Sequence, residues 1–487
     1  MQTFKFKQRE LQSTLNLLRD GKLSCVALMQ ETIERSIKAK ELQMDYFTTQ
    51  NYEEMLEAAF KADDRYQKGQ NRPLEGIAIG IKDNIDQFQV PVTAGSNALL
   101  LNKVQREGNL WKRMKYLGAI SAGRTTMAEL GLSTISKNLF FGSPRNPLDT
   151  ERTCGGSSGG SAGAVASGLV PVSLATDTLG GIRIPAACVG AVGFRPTATR
   201  WSTADSGLIL SPSFDSLGPI TQSVRDARLL DQLVTGEQPL KLHEVTREDL
   251  AGIRIGVPVR HFYHDLDTSV MKGAMETIQR LERAGFTLVE TDAIEQIEML
   301  HHDTVKTVVS YEVPRAIQDY LEAHNFPKTF EYVIGKVASP DSRQILKRMT
   351  QEGKVSELRY FQAIFTLRER HIAAVRSYME RNNVDTILYP TMPILPCKLS
   401  DYDEGTKWRV KHHDDKQVSV LRKSACNSEM ASAMNFPAIT FPAYKTDSGL
   451  YVNMELCSDT GNDRYLLAVA SLIEDTLEVR EQMMLIQ

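Results

Sequence analysis

The sequence predicts an α/β fold in which helices flank an open sheet and a helical segment is inserted late in the chain. Strand, helix and strand recur along the first half, which is the order that builds such a sheet. Residues 253–289 form a βαβ pattern, and residues from about 291 to 384 are mainly helical in pattern. A chain of 487 residues can hold one large α/β domain with an insertion, or two or three average domains.

The N-terminal half alternates between helical and strand periodicity. Leu11, Leu15 and Leu18 share one helical face, and Gly76–Lys82 alternates small and apolar residues as a buried strand does. In order, we predict two helices within 11–40, a helix over 53–67, a strand over 76–82, a helix over 105–117, a strand over 119–122, a loop over 140–153, a helix of small residues over 161–167 and a strand over 170–175.

The C-terminal half starts with a helix and a polar connection and then enters the βαβ unit, where Asp267 is the predicted N-cap and Gly285 the predicted end of one helix. Apolar residues at 358, 361, 365, 372, 375 and 379 mark a long helix in the insertion. The predicted elements are a helix over 224–234, a connection over 236–249, a strand over 253–257, the capped helix, a strand over 286–289, the long helix, a strand over 386–389 and a helix over 465–474.

Composition favours a globular cytoplasmic protein. The formal charge is -3, with 42% hydrophobic and 24% charged residues, which argues against a dedicated nucleic-acid binder. The N-terminus lacks the apolar core of a signal peptide, and no apolar run reaches membrane-spanning length. The six cysteines are scattered without a CxxC pair, as expected of reduced thiols.

The stretch 152–196 carries the strongest functional signal. Gly155, Gly156, Gly159 and Gly160 surround two serines, and a second glycine turn follows at 180–181. Glycines weaken helices and strands by roughly 0.5–1 kcal/mol each, so they are expected where the backbone needs special dihedrals or must approach a ligand. Two hydroxyl groups inside one glycine frame favour a functional site over a packing turn.

Three known types of site fit this stretch poorly. The G-x-S-x-G elbow of α/β-hydrolases would make Ser157 or Ser158 the nucleophile, but it needs a preceding strand, and we predict a loop there. No phosphate-binding GxxxxGK[ST] or strand-linked GxGxxG is present. The histidine pairs 261/264, 301/302 and 412/413 lie in polar segments typical of solvated surface, and Cys154 is interpreted as a small filler residue.

A fourth possibility uses Lys82 as a base. A lysine held inside at the end of an apolar strand has a lowered pKa, so its neutral amine could activate a serine. The turn Asp177–Gly181 could present several consecutive N–H groups, as an oxyanion hole requires. Most lysines that end strands are exposed, so this hypothesis needs independent support.

That support is a resemblance to the amidase signature family, which spans nearly the whole chain. GIAIGIKDNID resembles the family's lysine motif, and TCGGSSGGSAGAVASGLVP resembles its signature loop. Other similar segments are TTMAEL, FGSPRNP, SFDSLGPIT, DTILYPTMP and NFPAITFPA. The resemblance implies a single amidase domain over 1–487, with a signature core at about 70–225, an insertion at about 291–384 and a large mixed, mostly parallel central sheet.

The resemblance also implies roles for individual residues. Lys82 would be the base and Ser157 the bridging cis-serine of a Ser-cisSer-Lys triad. The other implied roles are the oxyanion hole (Thr178, Leu179, Gly180 and Gly181), supporting residues (Ser158, Asp177 and Arg183) and substrate binding (Met127, Gly155 and Gly156). Neither a metal nor a cofactor is implied.

One position departs from the family. Its nucleophilic serine corresponds to position 181, where this chain has Gly181, and no other serine lies between Ser173 and Ser202. Leu179 also replaces a small residue of this turn. Glycine has no oxygen with which to form an acyl-enzyme, so we expect an inactive Ser-to-Gly form. Either an active amidase was altered to trap its substrate or the chain is a natural non-catalyst, and the retained machinery favours the first.

The expected function is hydrolysis of an amide or ureide C–N bond in a small molecule, silenced at position 181. The alternatives are the glutaminase subunit of a tRNA-dependent amidotransferase and a natural non-catalytic binding protein. We expect a small-molecule amide as partner, with neither nucleic acid nor membrane bound directly. A homodimer or a partner subunit stays possible.

Overall fold

The computed structural model describes residues 4, 6, 10–238, 247–292, 294–352, 354–401, 409–411 and 417–479. Its strands are β1 (Phe47–Thr49), β2 (Ala78–Lys82), β3 (Ile120–Thr125), β4 (Arg145–Asn146), β5 (Asp149–Thr153), β6 (Val172–Asp177), β7 (Val192–Arg195), β8 (Ser216–Thr221), β9 (Arg254–Pro258), β10 (Thr287–Thr291), β11 (Thr386–Pro390), β12 (Arg409–Lys411), β13 (Gln417–Ser419), β14 (Ala438–Lys445) and β15 (Tyr451–Cys457).

The helices lie around these strands, and the predicted caps are present: Asp267 and Gly285 flank the helix that they were expected to start and end. The helices are α1 (Leu11–Arg19), α2 (Cys25–Glu41), α3 (Tyr52–Gln67), α4 (Asn109–Leu117), α5 (Gly159–Ala166), α6 (Arg183–Val189), α7 (Val224–Thr235), α8 (Arg247–Gly252), α9 (Val259–Phe262), α10 (Thr268–Ala284), α11 (Lys306–Ala323), α12 (Phe330–Lys336), α13 (Pro340–Lys347), α14 (Glu357–Gln362), α15 (Arg368–Asn382), α16 (Val420–Ala425), α17 (Glu429–Met434) and α18 (Asp463–Leu477).

The central sheet is large and mixed, as predicted. Within the described residues it has eleven strands in the order β1-β3-β2-β6-β8-β7-β14-β15-β11-β9-β10. Two parallel groups, β3-β2-β6 and β11-β9-β10, lie towards its two sides. The strands between them pair antiparallel, so the expected parallel majority holds only within these two groups.

Two local predictions were wrong. The helix predicted from residue 105 begins at Asn109. The segment 140–153, predicted as loop, contains the hairpin β4–β5, whose strands are joined at Pro147 and Leu148. The predicted long helix is present: a π-helical turn at Ala363–Leu367 joins α14 to α15, and Leu358, Phe361 and Phe365 are exposed on it.

Close packing of small residues brings α5 against the sheet. A β-carbon on Gly160 would lie 2.5 Å from the backbone of Thr126, and one on Gly163 would lie 2.1 Å from the Tyr46 ring. Such distances are shorter than van der Waals contact, so only glycine permits this approach. As a result, the serine loop that begins α5 lies next to β2 and β6. None of the helices in the described part of the chain has the length and apolar character needed to cross a membrane.

Candidate active site

The carboxyl ends of β2 and β6 bring Lys82 together with the two glycine-rich segments. These strands pair in parallel, with Ile81 opposite Leu174, so Lys82 and the end of β6 lie at the same edge of the sheet. Lys82 is fully buried. Its Nζ lies 2.8 Å from Ser157 Oγ, 2.8 Å from Thr176 Oγ1 and 3.3 Å from the Thr176 carbonyl oxygen.

The environment of Lys82 favours the neutral amine. Burial lowers the pKa of Lys82 to about 7, although the carboxylates of Asp215 and Asp177 act in the opposite direction. No carboxylate forms an ion pair with Lys82 among the described residues. Near neutral pH, a substantial fraction of the amines therefore has a lone pair with which to accept a proton.

The backbone holds Ser157 in place from two sides. Its peptide bond with Gly156 is cis, and Gly155 takes a φ of +74°. The Ser157 carbonyl accepts hydrogen bonds from Ala128 N at 3.0 Å and from Ser136 Oγ at 3.2 Å. A β-carbon on Gly156 would lie 2.7 Å from the Ser133 carbonyl oxygen, so a side chain there would push this loop apart.

The second glycine turn follows β6 and is organised by Asp177. The Asp177 carboxylate accepts from Gly180 N at 2.8 Å and from Ile182 N at 3.2 Å, and Arg183 donates to both of its oxygens at 3.0 Å. Burial alone would raise the pKa of Asp177, but the guanidinium groups of Arg183 and Arg195 hold it well below its usual range. The carboxylate thus stays charged and fixes the turn.

This turn brings position 181 to Ser157. A β-carbon on Gly181 would lie 3.0 Å from Ser157 Oγ and 2.6 Å from the Thr176 carbonyl oxygen. The Gly180 amide already donates to Asp177. The amides of Thr178, Leu179 and Gly181 donate to no other described residue, so three of the four predicted oxyanion donors are free. Thr178 and Leu179 are half-buried, which places the turn at the edge of the site.

The remaining predicted residues surround this centre. Ser158 is fully buried and its hydroxyl has no hydrogen-bond partner in the described structure, so it does not contact the amine. Met127 is buried and lies near the site, with Gly131 between it and Ser157. A β-carbon on Gly131 would lie 3.6 Å from Met127 Cε and 3.9 Å from Ser157 Oγ. Gly155 packs on Cys188, and buried Cys154 has a raised pKa, as expected of a filler thiol.

Sequence reasoning missed three polar residues at the centre. Thr176 accepts from Lys82, Asn84 Nδ2 donates to Thr176 Oγ1 at 3.2 Å, and the Asp215 carboxylate accepts from Leu210 N at 2.7 Å. Burial raises the pKa of Asp215 to about 6, against hydrogen bonds that include one from the Thr178 side chain. Asn84 and Asp215 lie inside segments that resemble the family, and Thr176 directly precedes the turn Asp177–Gly181, so their neighbours in sequence were the available signal.

The histidines and aromatic residues do not form a second centre in the described residues. His301 Nδ1 lies 2.9 Å from Glu429, so the prediction of a solvated pair was wrong there. No group of three potential metal-ligating side chains occurs within the described ranges. Phe361, on the predicted long helix, is exposed, whereas His412–His413 lie outside the described residues.

The ion pairs of Arg183 should be indispensable to stability. Arg183 is fully buried and pairs with Asp177 and Glu455, so Arg183→Met leaves buried Glu455 without this cation and leaves Asp177 with Arg195 alone. Removing one partner of such a pair costs about 3–5 kcal/mol. Urea unfolding should show this loss, whereas Arg376→Met, which removes the surface pair with Asp459, should cost about 0–1 kcal/mol. Equal losses would contradict the assignment.

The lowered pKa of Lys82 should also appear in the stability. Between pH 7 and 9 the unfolded chain keeps the Lys82 proton while the folded chain loses it, so the free-energy cost of burying this lysine falls and the unfolding free energy rises as pH rises. Lys82→Met removes that contribution. We expect the unfolding free energy of the native chain, minus that of the variant, to rise with pH by up to roughly 1.4 kcal/mol per unit. A flat difference would show that Lys82 is charged in the fold.

Comparisons with known proteins find relatives along nearly the whole chain. The family model described as Amidase matches residues 27–467. An indoleacetamide hydrolase from Agrobacterium vitis is 33% identical over 470 residues, covering 96% of this chain and 97% of the relative. A mandelamide hydrolase from Pseudomonas putida is 31% identical, covering 86% of this chain and 83% of the relative. A crystal structure described as an amidase superposes with a TM-score of 0.82 at 28% identity, covering 96% of this chain and all of the other.

Proposed function

The chain belongs to the Amidase family of amide hydrolases, and on that premise we propose that its site is a Ser-cisSer-Lys centre for small aryl-substituted carboxamides, silenced at position 181. The observation that carries this proposal is the line of contacts from Lys82 through Ser157 to Gly181, at 2.8 Å and then 3.0 Å to the β-carbon position. The substrate class is suggested by the relatives, whose names specify indoleacetamide and mandelamide.

The chemistry follows for a chain with a serine at position 181. Its hydroxyl attacks the amide carbonyl carbon, Ser157 accepts the hydroxyl proton, and Ser157 passes its own proton to neutral Lys82. The free amides of Thr178, Leu179 and position 181 stabilise the developing oxyanion. The same relay, run in reverse, protonates the leaving nitrogen, after which water hydrolyses the acyl-enzyme.

The native chain retains the relay but has no oxygen at position 181. It therefore binds a carboxamide and does not turn it over by this route. The family match and the amide hydrolases among its relatives favour this function over the glutaminase subunit. Gly181 itself favours the binding-protein alternative, in which the pocket senses the same molecules. The six cysteines are all free, which supports the cytoplasmic location that we propose.

Ligand binding to the native chain tests the proposal directly. Indole-3-acetamide and mandelamide should each raise the melting temperature, because a ligand that binds only the folded state stabilises it. Neither should be consumed. Glutamine is the matched control, since it is a carboxamide without an aryl group. Stabilisation by glutamine alone would favour the glutaminase alternative, and release of ammonia by the native chain would contradict the proposed silencing.

A further inference from the structure

Lys82 and Ser157 form a complete nucleophile–base pair without any residue at position 181. Their side-chain atoms are 2.8 Å apart, and both residues are buried. We propose that Ser157 is itself a nucleophile, and that it accepts acyl groups from activated donors such as aryl esters. This activity differs from the family reaction of the proposed function, in which Ser157 only relays protons.

The contacts of the amine account for each of its bonding positions. Nζ lies close to three oxygens, of which two belong to Thr176 and one to Ser157. A neutral amine has two N–H groups and one lone pair. When the two N–H groups donate to the Thr176 carbonyl and hydroxyl oxygens, the lone pair faces the Ser157 hydroxyl and can accept its proton. This is the arrangement that a general base requires.

Access and charge stabilisation are also provided at Ser157. Its residue exposure is 8%, whereas the adjacent Ser158 is at 0%. Gly181 places no side chain beside Ser157 Oγ, so this residue does not cover the serine hydroxyl. In the described structure the amides of Thr178, Leu179 and Gly181 donate to no other residue, so they can bind the oxyanion at this same edge.

The proposed step balances without an additional reactant. Ser157 Oγ bonds to the ester carbonyl carbon and its proton moves to Lys82 Nζ. The bond from that carbon to the aryl oxygen breaks, the aryloxide leaves with the electron pair, and the Lys82 proton passes to it or to water. Water, deprotonated by Lys82, then attacks the same carbonyl carbon, the bond from that carbon to Ser157 Oγ breaks, and Oγ recovers the proton from Lys82. Carboxamides are not expected to react in this way, because an amide nitrogen must be protonated before it leaves, whereas an aryloxide leaves as the anion, and an acylated Ser157 has no hydroxyl with which to relay that proton.

The test is acetylation by p-nitrophenyl acetate at pH 8, followed by peptide mass mapping. In the native chain, the acetyl group should be found on Ser157, with release of nitrophenolate. Ser157→Ala should abolish this label, and Ser161→Ala, which removes a nearby hydroxyl that bonds to Thr125 and not to Lys82, should retain it. Lys82→Met should slow the labelling of Ser157 by about 10²-fold or more, which is the usual contribution of a general base.

Two results would overturn the proposal: no acetyl group on Ser157 of the native chain, or equal labelling rates with and without the Lys82 amine. Circular dichroism and thermal unfolding identify any variant that fails to fold, and Lys82→Arg then replaces Lys82→Met because it keeps a cation but offers no lone pair. If Gly181→Ser hydrolyses carboxamides while Ser157 of the native chain stays unlabelled, the proposed function stands and this inference fails.

Discussion

Gly181→Ser is expected to give the chain a carboxamide hydrolase activity at least about 10³-fold above its native background, because members of a catalytic triad act as a unit and the absence of one removes most of the rate. The introduced hydroxyl extends from a β-carbon position 3.0 Å from Ser157 Oγ, and Ser157 already contacts Lys82. Release of ammonia from indole-3-acetamide by the isolated variant is the measurement.

The β-carbon introduced by Gly181→Ser is also expected to lower the stability of the fold. Gly181→Ala, which adds the same β-carbon, is therefore the control. This β-carbon would lie 2.6 Å from the Thr176 carbonyl oxygen, so the backbone must shift. Overpacking of this kind costs roughly 1–3 kcal/mol. Gly181→Ala introduces the same β-carbon without the hydroxyl and should lose the same stability without gaining activity. Activity in both variants, or in neither while Gly181→Ser still folds and binds amide, would contradict the assignment of position 181.

Activity of Gly181→Ser that appears only with co-purified partners would instead favour the amidotransferase subunit.

Elements with strong local signals could be predicted from the sequence. The helix α10 has its N-cap at Asp267, its apolar face at Val270, Ala274 and Ile278, and its left-handed end at Gly285, and all of these are local properties. The glycine frame was likewise recognisable, because glycines and serines without a packing purpose stand out in any sequence. Position 181 was identified through the resemblance, since a single glycine carries no signal of a missing serine.

The rest depends on contacts between distant segments. The antiparallel centre of the sheet pairs β14 with β7, residues 438–440 with 193–195, and no local pattern specifies such partners. The hydrogen bond between Asn84 and Thr176 likewise joins distant segments, the turn after β2 and the strand β6. The strands of the hairpin β4–β5 consist of polar and charged residues, RN and DTERT. Without alternating apolar residues, the sequence shows no strand pattern there.

Lys82→Met in the Gly181→Ser chain is expected to abolish the gained activity while amide binding persists. Methionine is close to lysine in length and fills the same buried space without the amine, so the loss should reflect chemistry and not a collapsed site. Removing a general base lowers the rate by about 10²–10⁴-fold. We expect the upper end of this range here, because Lys82 is also the final proton acceptor in the transfer through Ser157. Lys38→Met, on the surface of α2, is the matched control and should leave the rate unchanged.

The pH profile separates this role from a structural one. The amine acts only when neutral, so kcat/KM of the Gly181→Ser chain should rise with pH and level off above about 7, where burial has placed the pKa of Lys82. An ordinary lysine would shift that limb to about 10.4. Asp215 raises this pKa through its charge, so Asp215→Asn should move the limb to lower pH. In the described structure Lys82 is the amine bonded to Ser157, so it is the group expected to titrate. If Asp215→Asn leaves the rising part of the pH profile in place, the titrating group is not Lys82.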